Sequence, residues 1–175
     1  MITLERIAPH NALVFKMVRL RALQGDPTSF GSTYAKESQL SDNEWLKRSL
    51  RWSSDGFIAY LAFDGENACG LVACYADEQD PKRAHVISMW VDPTWRRAGV
   101  GTALIGGVQS WASSRKMREL VLMVTGMEAG RPGAVGTVTV QLDAAGHSVA
   151  ATCPPKWATI CPSALRKLAP EITTD

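Results

Sequence analysis

No tyrosine follows Tyr75, and from Glu128 onward the chain has neither tyrosine nor phenylalanine. The carboxyl third therefore has few of the large rings that usually dominate a core. Also missing is any block of lysine and arginine with interleaved aromatics, and the formal charge is only +2. Nucleic acid and membrane surfaces are accordingly not expected partners. No apolar run is long enough to cross a bilayer, and Glu5 and Arg6 interrupt the apolar start, so no signal-peptide core is expected and a cytoplasmic location follows. Four cysteines, at 69, 74, 153 and 161, match neither a Cys-x-x-Cys metal site nor a redox dithiol and read as free thiols. His10, His85 and His147 are scattered, without Cys, Asp or Glu companions at ligand spacing, so no metal is expected.

What is present suits one domain of 175 residues, nearly half of them apolar. Residues 3–7 alternate before Pro9, and Asn11 stands where a helix N-cap would, ahead of Leu13, Met17 and Leu20 at helical spacing. Residues 25–31 carry too many turn formers for a helix. Ser41 and Glu44 form a capping box for a second helix from Asp42 to about Leu50. A hairpin follows, with strands at 57–63 and 69–75 around Asp64-Gly65-Glu66-Asn67. A third strand, 84–91, stops at Asp92-Pro93, because proline cannot continue a ladder. Leu104, Val108 and Trp111 share a helical stripe, and 120–124 is an apolar run fit for a central strand. Residues 137–142 and 148–152 suit a hairpin through Asp143-Ala144-Ala145-Gly146, and 164–168 suits a helical turn or two. A helix between Glu128 and Val140 is not expected, since its glycines cost about 1 kcal/mol each and its proline about 3. That segment is expected to dock weakly and to be less ordered than the first 127 residues.

Between the 84–91 strand and the helix lies Arg96-Arg97-Ala98-Gly99-Val100-Gly101-Thr102. Gly99 and Gly101 let main-chain amides approach an anion, a helix beginning near Thr102 aims its unpaired N–H groups at the same point, and two arginines add charge. A pyrophosphate suits this arrangement. A glycine-rich turn with two solvated arginines is the other reading.

With its flanking strands, the segment resembles the pyrophosphate loop of the GCN5-related N-acetyltransferases, Gln/Arg-x-x-Gly-x-Gly/Ala, matched by Arg96, Gly99 and Gly101. Leu20-Arg21-Ala22-Leu23, Asp26-Pro27 and Phe30-Gly31-Ser32-Thr33-Tyr34 are similar to the family's amino-terminal helix and acceptor-side loop. The resemblance covers residues 1–127, and it implies an α/β fold in which helices flank a mixed sheet. Residues 128–175 would be an atypical end of the same domain.

The resemblance further implies an N-acetyltransferase that uses acetyl-CoA as cosubstrate and a primary amine as acceptor. Arg96, Arg97, Ala98, Gly99, Val100, Gly101 and Thr102 would hold the pyrophosphate. The pantetheine arm would pair with backbone groups of Met89, Trp90 and Val91, near a bulge that splays this strand from 120–124. In the commonest family pattern a glycine stands in place of Arg97 and a basic residue in place of Ala98. An alkylamine is neutral in only roughly one molecule in two thousand at pH 7, so a base helps. His85 is the candidate, with a solvated strand end as the alternative. The tyrosine and asparagine that the family places after the last core strand are absent, Glu128 standing in the asparagine's place. The carboxyl end is either a diverged hairpin or the product of a shifted reading frame. A non-catalytic acyl-CoA-binding protein is the rival function, and a homodimer stays open.

Overall fold

A computed structural model of the chain describes residues 1–128 and 131–152, with only the backbone described for 124–128 and 131–136. Seven strands are hydrogen-bonded in the order β1 to β7. They are β1 (Ile2–Arg6), β2 (Phe57–Asp64), β3 (Asn67–Ala76), β4 (Arg83–Val91), β5 (Glu119–Glu128), β6 (Arg131–Leu142) and β7 (Ser148–Thr152). The helices are α1 (Ala12–Gly25), α2 (Tyr34–Glu37), α3 (Asp42–Trp52) and α4 (Val100–Ser114). β4 and β5 run parallel while β1–β2, β2–β3, β5–β6 and β6–β7 are antiparallel, which makes the sheet mixed, as expected.

The chain divides into two compact units. The first comprises Met1–Tyr75 and Ser88–Val108. Its core draws on Phe15, Val18 and Leu23 of α1, Trp45 of α3, Leu61 and Leu71 of the hairpin, and Val100, Leu104 and Val108 of α4, all essentially buried. Phe15 packs edge-on to Trp45, with ring centroids 5.1 Å apart, a geometry the ring quadrupoles favour. At Gly107 a Cβ would lie 2.8 Å from Leu4 Cδ1 and 3.2 Å from Tyr60 Cε2, so glycine is what allows α4 to press this closely on β1 and β2.

The second unit holds Ala76–Ile87 and the described residues from Gln109 onward. Its β5–β6 ladder runs from Glu119–Gln141 to Glu128–Arg131, with a register irregularity between Gly126 and Met127. Leu120, Leu122, Val138, Val140 and Leu142 are buried. The residues of 128–140 that are described beyond Glu128 lie in β6 and form no helix, as their composition predicts. The β6–β7 hairpin turns through residues 143–147, with the Asp143 carboxylate accepting from Ala145 N and His147 N. The helical turn expected at 164–168 lies outside the described residues.

Local chemistry departs from the sequence reading at three points. Asn11 precedes α1, but its side chain does not cap it. Its amide instead accepts from Ala8 N and donates to Glu5 and to the Arg6 carbonyl, tying β1 to the turn before α1. A short helix, α2, appears in a stretch to which no element is assigned from sequence, capped by Thr33, whose hydroxyl accepts from Lys36 N at 3.3 Å. The third departure is the start of α4, which bears on the site. By contrast, the capping box of α3 forms as expected: Ser41 Oγ accepts from Glu44 N at 3.3 Å, and Ser41 N donates to Glu44 at 2.7 Å.

Candidate functional site

The site is built on the turn that ends β4. Asp92 is buried, and its carboxylate accepts from Thr94 N at 3.0 Å and forms an ion pair with Arg21, whose Nε lies 3.3 Å away. Its carbonyl accepts from Trp95 N, and one 3₁₀ turn, Pro93–Trp95, carries the chain to Arg96. Arg97 and Gly99 then both take left-handed backbone, with φ of +69° and +83°. Two such residues around Ala98 reverse the chain and aim it into α4.

Ala103 N donates to the Gly99 carbonyl at 3.0 Å, so the helix begins at Val100 and not near Thr102. The physical reason is the left-handed Gly99, which ends the turn two residues earlier than periodicity alone suggests. Because the first amides of a helix have no intrahelical acceptor, those of Val100, Gly101 and Thr102 are the ones offered at its positive end. The Val100 side chain is buried and anchors the loop, while Arg96, Arg97, Ala98, Gly99 and Thr102 are exposed. A Cβ at Gly99 would meet nothing within 4 Å, which leaves its conformation, not crowding, as the reason for glycine. Gly101 faces β4, where a Cβ would stand 3.5 Å from Met89 Cε.

Arg96 is not a loose surface cation. Its Nε donates to the Val91 carbonyl at 3.1 Å and its Nη2 to Asp26 Oδ2 at 2.7 Å. The same carboxylate oxygen accepts from the indole of buried Trp90 at 2.8 Å. The loop's cations are thus one braced arginine and one strained one. Amides without an intrahelical acceptor at a helix start, positive φ on either side of Ala98 and two adjacent arginines together fit a diphosphate.

Upstream, the parallel β4–β5 pairing runs from Arg83–Glu119 to Val86–Leu122, and at Ser88 the backbone leaves the extended region with φ of +54°. This is the irregularity expected on β4. Ser88 Oγ accepts from Arg19 Nη1 at 3.3 Å, and Arg19 in turn donates twice to Glu37, at 3.0 and 3.1 Å. Arg48 supplies a third bond to Glu37 at 2.8 Å. Burial pushes the Glu37 carboxyl up, but hydrogen bonding and charge from Arg19, with help from Ser32 and Arg48, outweigh it and hold the group below the usual carboxylate range.

In the second unit, His85 has a partner that sequence spacing does not suggest: its Nε2 lies 2.7 Å from Asp77 Oδ2. The expectation of no acidic companion at ligand spacing concerned metal sets and missed this tertiary pair. Asp77 N donates to the Arg83 carbonyl, which folds the loop between β3 and β4 so that the two side chains meet. The His85 hydrogen bond, with backbone bonds from Gln79 and Asp80, pulls Asp77 down to about 2. The free cysteines among the described residues, Cys69 and Cys74, are buried. Burial raises both thiols, Cys74 to about 12, so neither offers a thiolate at neutral pH.

Among the described residues no group of three or more His, Cys, Asp or Glu could hold a metal ion, and no helix is long and apolar enough to cross a membrane.

Comparison with known proteins identifies the family of the chain. Residues 19–136 match the family model described as the acetyltransferase (GNAT) family. None of the curated proteins compared with the chain matches it. Among solved structures, similar folds include a GNAT-family acetyltransferase from Streptococcus pneumoniae, 22% identical, with a TM-score of 0.58 over 71% of this chain and 75% of that one. The PaiA N-acetyltransferase of Thermoplasma acidophilum, solved with coenzyme A, is 15% identical, with a TM-score of 0.58 over 71% and 80%. An aminoglycoside acetyltransferase from an uncultured soil sample, solved with sisomicin, is 18% identical, with a TM-score of 0.53 over 69% and 76%.

Proposed function

Because the chain belongs to the GNAT family of acetyltransferases, with acetyl-CoA as cosubstrate, we propose that it transfers the acetyl group to a primary amine of a small molecule or protein. Residues 96–102 are the diphosphate cradle in this reading, and the backbone of Met89, Trp90 and Val91 pairs with the pantetheine arm. The observation that carries it is the loop itself: left-handed Arg97 and Gly99 deliver the chain to a helix start whose first amides lie beside two arginines. Acetyl-CoA supplies an activated thioester, and the chain's part is to hold it and to keep the acceptor amine neutral. Residues 1–127 form the working core, and the location is cytoplasmic.

For the base we assign His85. A positioned base is worth about 10²–10⁴ in rate, and the Asp77 carboxylate at 2.7 Å fixes the orientation of the imidazole. The similar folds of an N-acetyltransferase and an aminoglycoside acetyltransferase support an amine as the acceptor.

The cradle is tested by Gly99→Val, which places a β-branched side chain at a φ of +83°. Calorimetry should show that coenzyme A binding is lost, and unchanged affinity would reject the assignment. A second reading, a non-catalytic acyl-CoA-binding protein, is favoured by the absence of any tyrosine after Tyr75, where the family resemblance implies one. A thiol-release assay over a panel of amines separates the two. Binding without turnover would establish the second reading.

A further inference from the structure

Asp26 has no part in the cradle as sequence reads it, yet among the described residues its carboxylate is the one acidic group paired with the loop's first arginine, at 2.7 Å. Resting on the reading of residues 96–102 as a diphosphate cradle, we propose that Asp26 is a positioning residue that braces Arg96 for the diphosphate of acetyl-CoA. Three features carry this.

The carboxylate is itself held still. Asp26 N donates to the Ala22 carbonyl at the end of α1, and the Asp26 carbonyl accepts from Ser29 N, so its backbone is pinned on both sides. Its Oδ2 also accepts from the indole of Trp90, which is only 5% exposed, and that bond sets the direction of the carboxylate. An ordinary surface ion pair has no such frame and is worth little.

The guanidinium is then gripped along one side. Nε goes to the Val91 carbonyl and one Nη2 proton to Asp26, two of the five donors of an arginine. Three donors stay available in one fixed plane, and a rigid fork loses little freedom when it meets phosphate oxygens. Finally, the brace links the cradle to the strand that precedes it, since Trp90 and Val91 are consecutive residues of β4. Arg96 is therefore placed relative to the same backbone that is assigned to the pantetheine arm.

The test turns on a sign. Were Asp26 merely an anion near an anionic ligand, Asp26→Ala would tighten coenzyme A binding, most of all at low salt. As a positioning residue its loss should weaken binding about tenfold, the scale of one charge-assisted hydrogen bond, with little change in that ratio as salt rises. Titration calorimetry with coenzyme A reads this directly and needs no acceptor. Arg96→Lys keeps the charge but not the fork, so it should weaken binding to a similar degree. It also carries the test if Asp26→Ala does not fold. In the Arg96→Lys background Asp26→Ala should cause no further loss. Tighter binding in Asp26→Ala, unchanged affinity in Arg96→Lys, or independent losses that multiply in the double variant would each overturn the proposal. Failure of the unaltered protein to bind coenzyme A, or tolerance of Gly99→Val, would instead overturn the cradle reading.

Discussion

Replacing Glu37 with alanine should be among the most damaging single changes available in the first unit. The Glu37 side chain is 3% exposed and that of Arg19 8%, and together with Arg48 they share three charge-assisted hydrogen bonds. Removing the carboxylate strands the two arginines unequally. Arg48 is 32% exposed and can recover water, so its bond costs little to lose. Arg19 cannot, being packed under Phe30 with its guanidinium 4.6 Å from the ring centroid. Breaking a buried pair by deleting one partner costs about 3–5 kcal/mol, because the survivor is left charged and dry. With a urea slope of about 2 kcal/mol per molar, the midpoint should fall by about 1.5–2.5 M. Circular dichroism across a urea titration measures this. The pH dependence supplies an independent check. Since Glu37 is held below the carboxylate range in the folded chain, its contribution is fully present above about pH 4.3 and is lost as pH falls through the folded value. The gap between unaltered protein and Glu37→Gln should therefore narrow in acid and be widest near neutrality. A loss under about 1 kcal/mol in Glu37→Ala, or a gap that widens in acid, would show that Arg19 is not buried as a charge and would refute the reasoning.

Arg97→Gly should raise stability by about 0.5–1 kcal/mol, because relief of a left-handed non-glycine residue, about 1–2 kcal/mol, exceeds the extra chain entropy of glycine. A urea titration reads it, and the same variant should bind coenzyme A more weakly at low salt. His85→Ala should lower amine turnover most at neutral pH and least near pH 9, where more acceptor is already neutral; a loss independent of pH would count against the base. Asp77 sits at about 2, so its contribution is fully present above about pH 4 and disappears only as pH falls through about 2, which keeps the pair intact across that assay.

Apolar runs bounded by turn residues made the hairpin of β2 and β3 and the strand β4 legible, and a stripe at helical spacing made α4 legible. The loop between β4 and α4 was legible for a different reason: Gly99 and Gly101 sit between a strand and a helix, and that context is written in linear order. What escaped was set by geometry that sequence spacing does not encode. α2 is four residues long, shorter than any window over which a period can be counted. The early start of α4 depends on the left-handed backbone of Arg97 and Gly99, and nothing about an arginine announces a positive φ. The pairs Asp77–His85, Arg19–Glu37 and Asp26–Arg96 join residues 8, 18 and 70 positions apart, brought together by the fold alone. Asp26 and Glu37 carried no signal beyond being acidic residues in or beside a loop.

The close seat of Gly107 against Leu4 and Tyr60 has a consequence for which changes α4 can absorb. It works as a notch cut into the helix seven residues beyond the first, roughly 10 Å along the axis from the amides of the cradle. Substitutions elsewhere in that stretch alter what the helix is made of, but leave the notch facing the sheet. Adding or deleting one residue between Gly99 and Gly107 would turn it by about 100° and move it about 1.5 Å, so a side chain would meet Leu4 and the helix would have to lift. Length, more than composition, is then the constrained quantity in this half of α4, and the height of the loop that starts α4 above the strand is a distance measured from the notch.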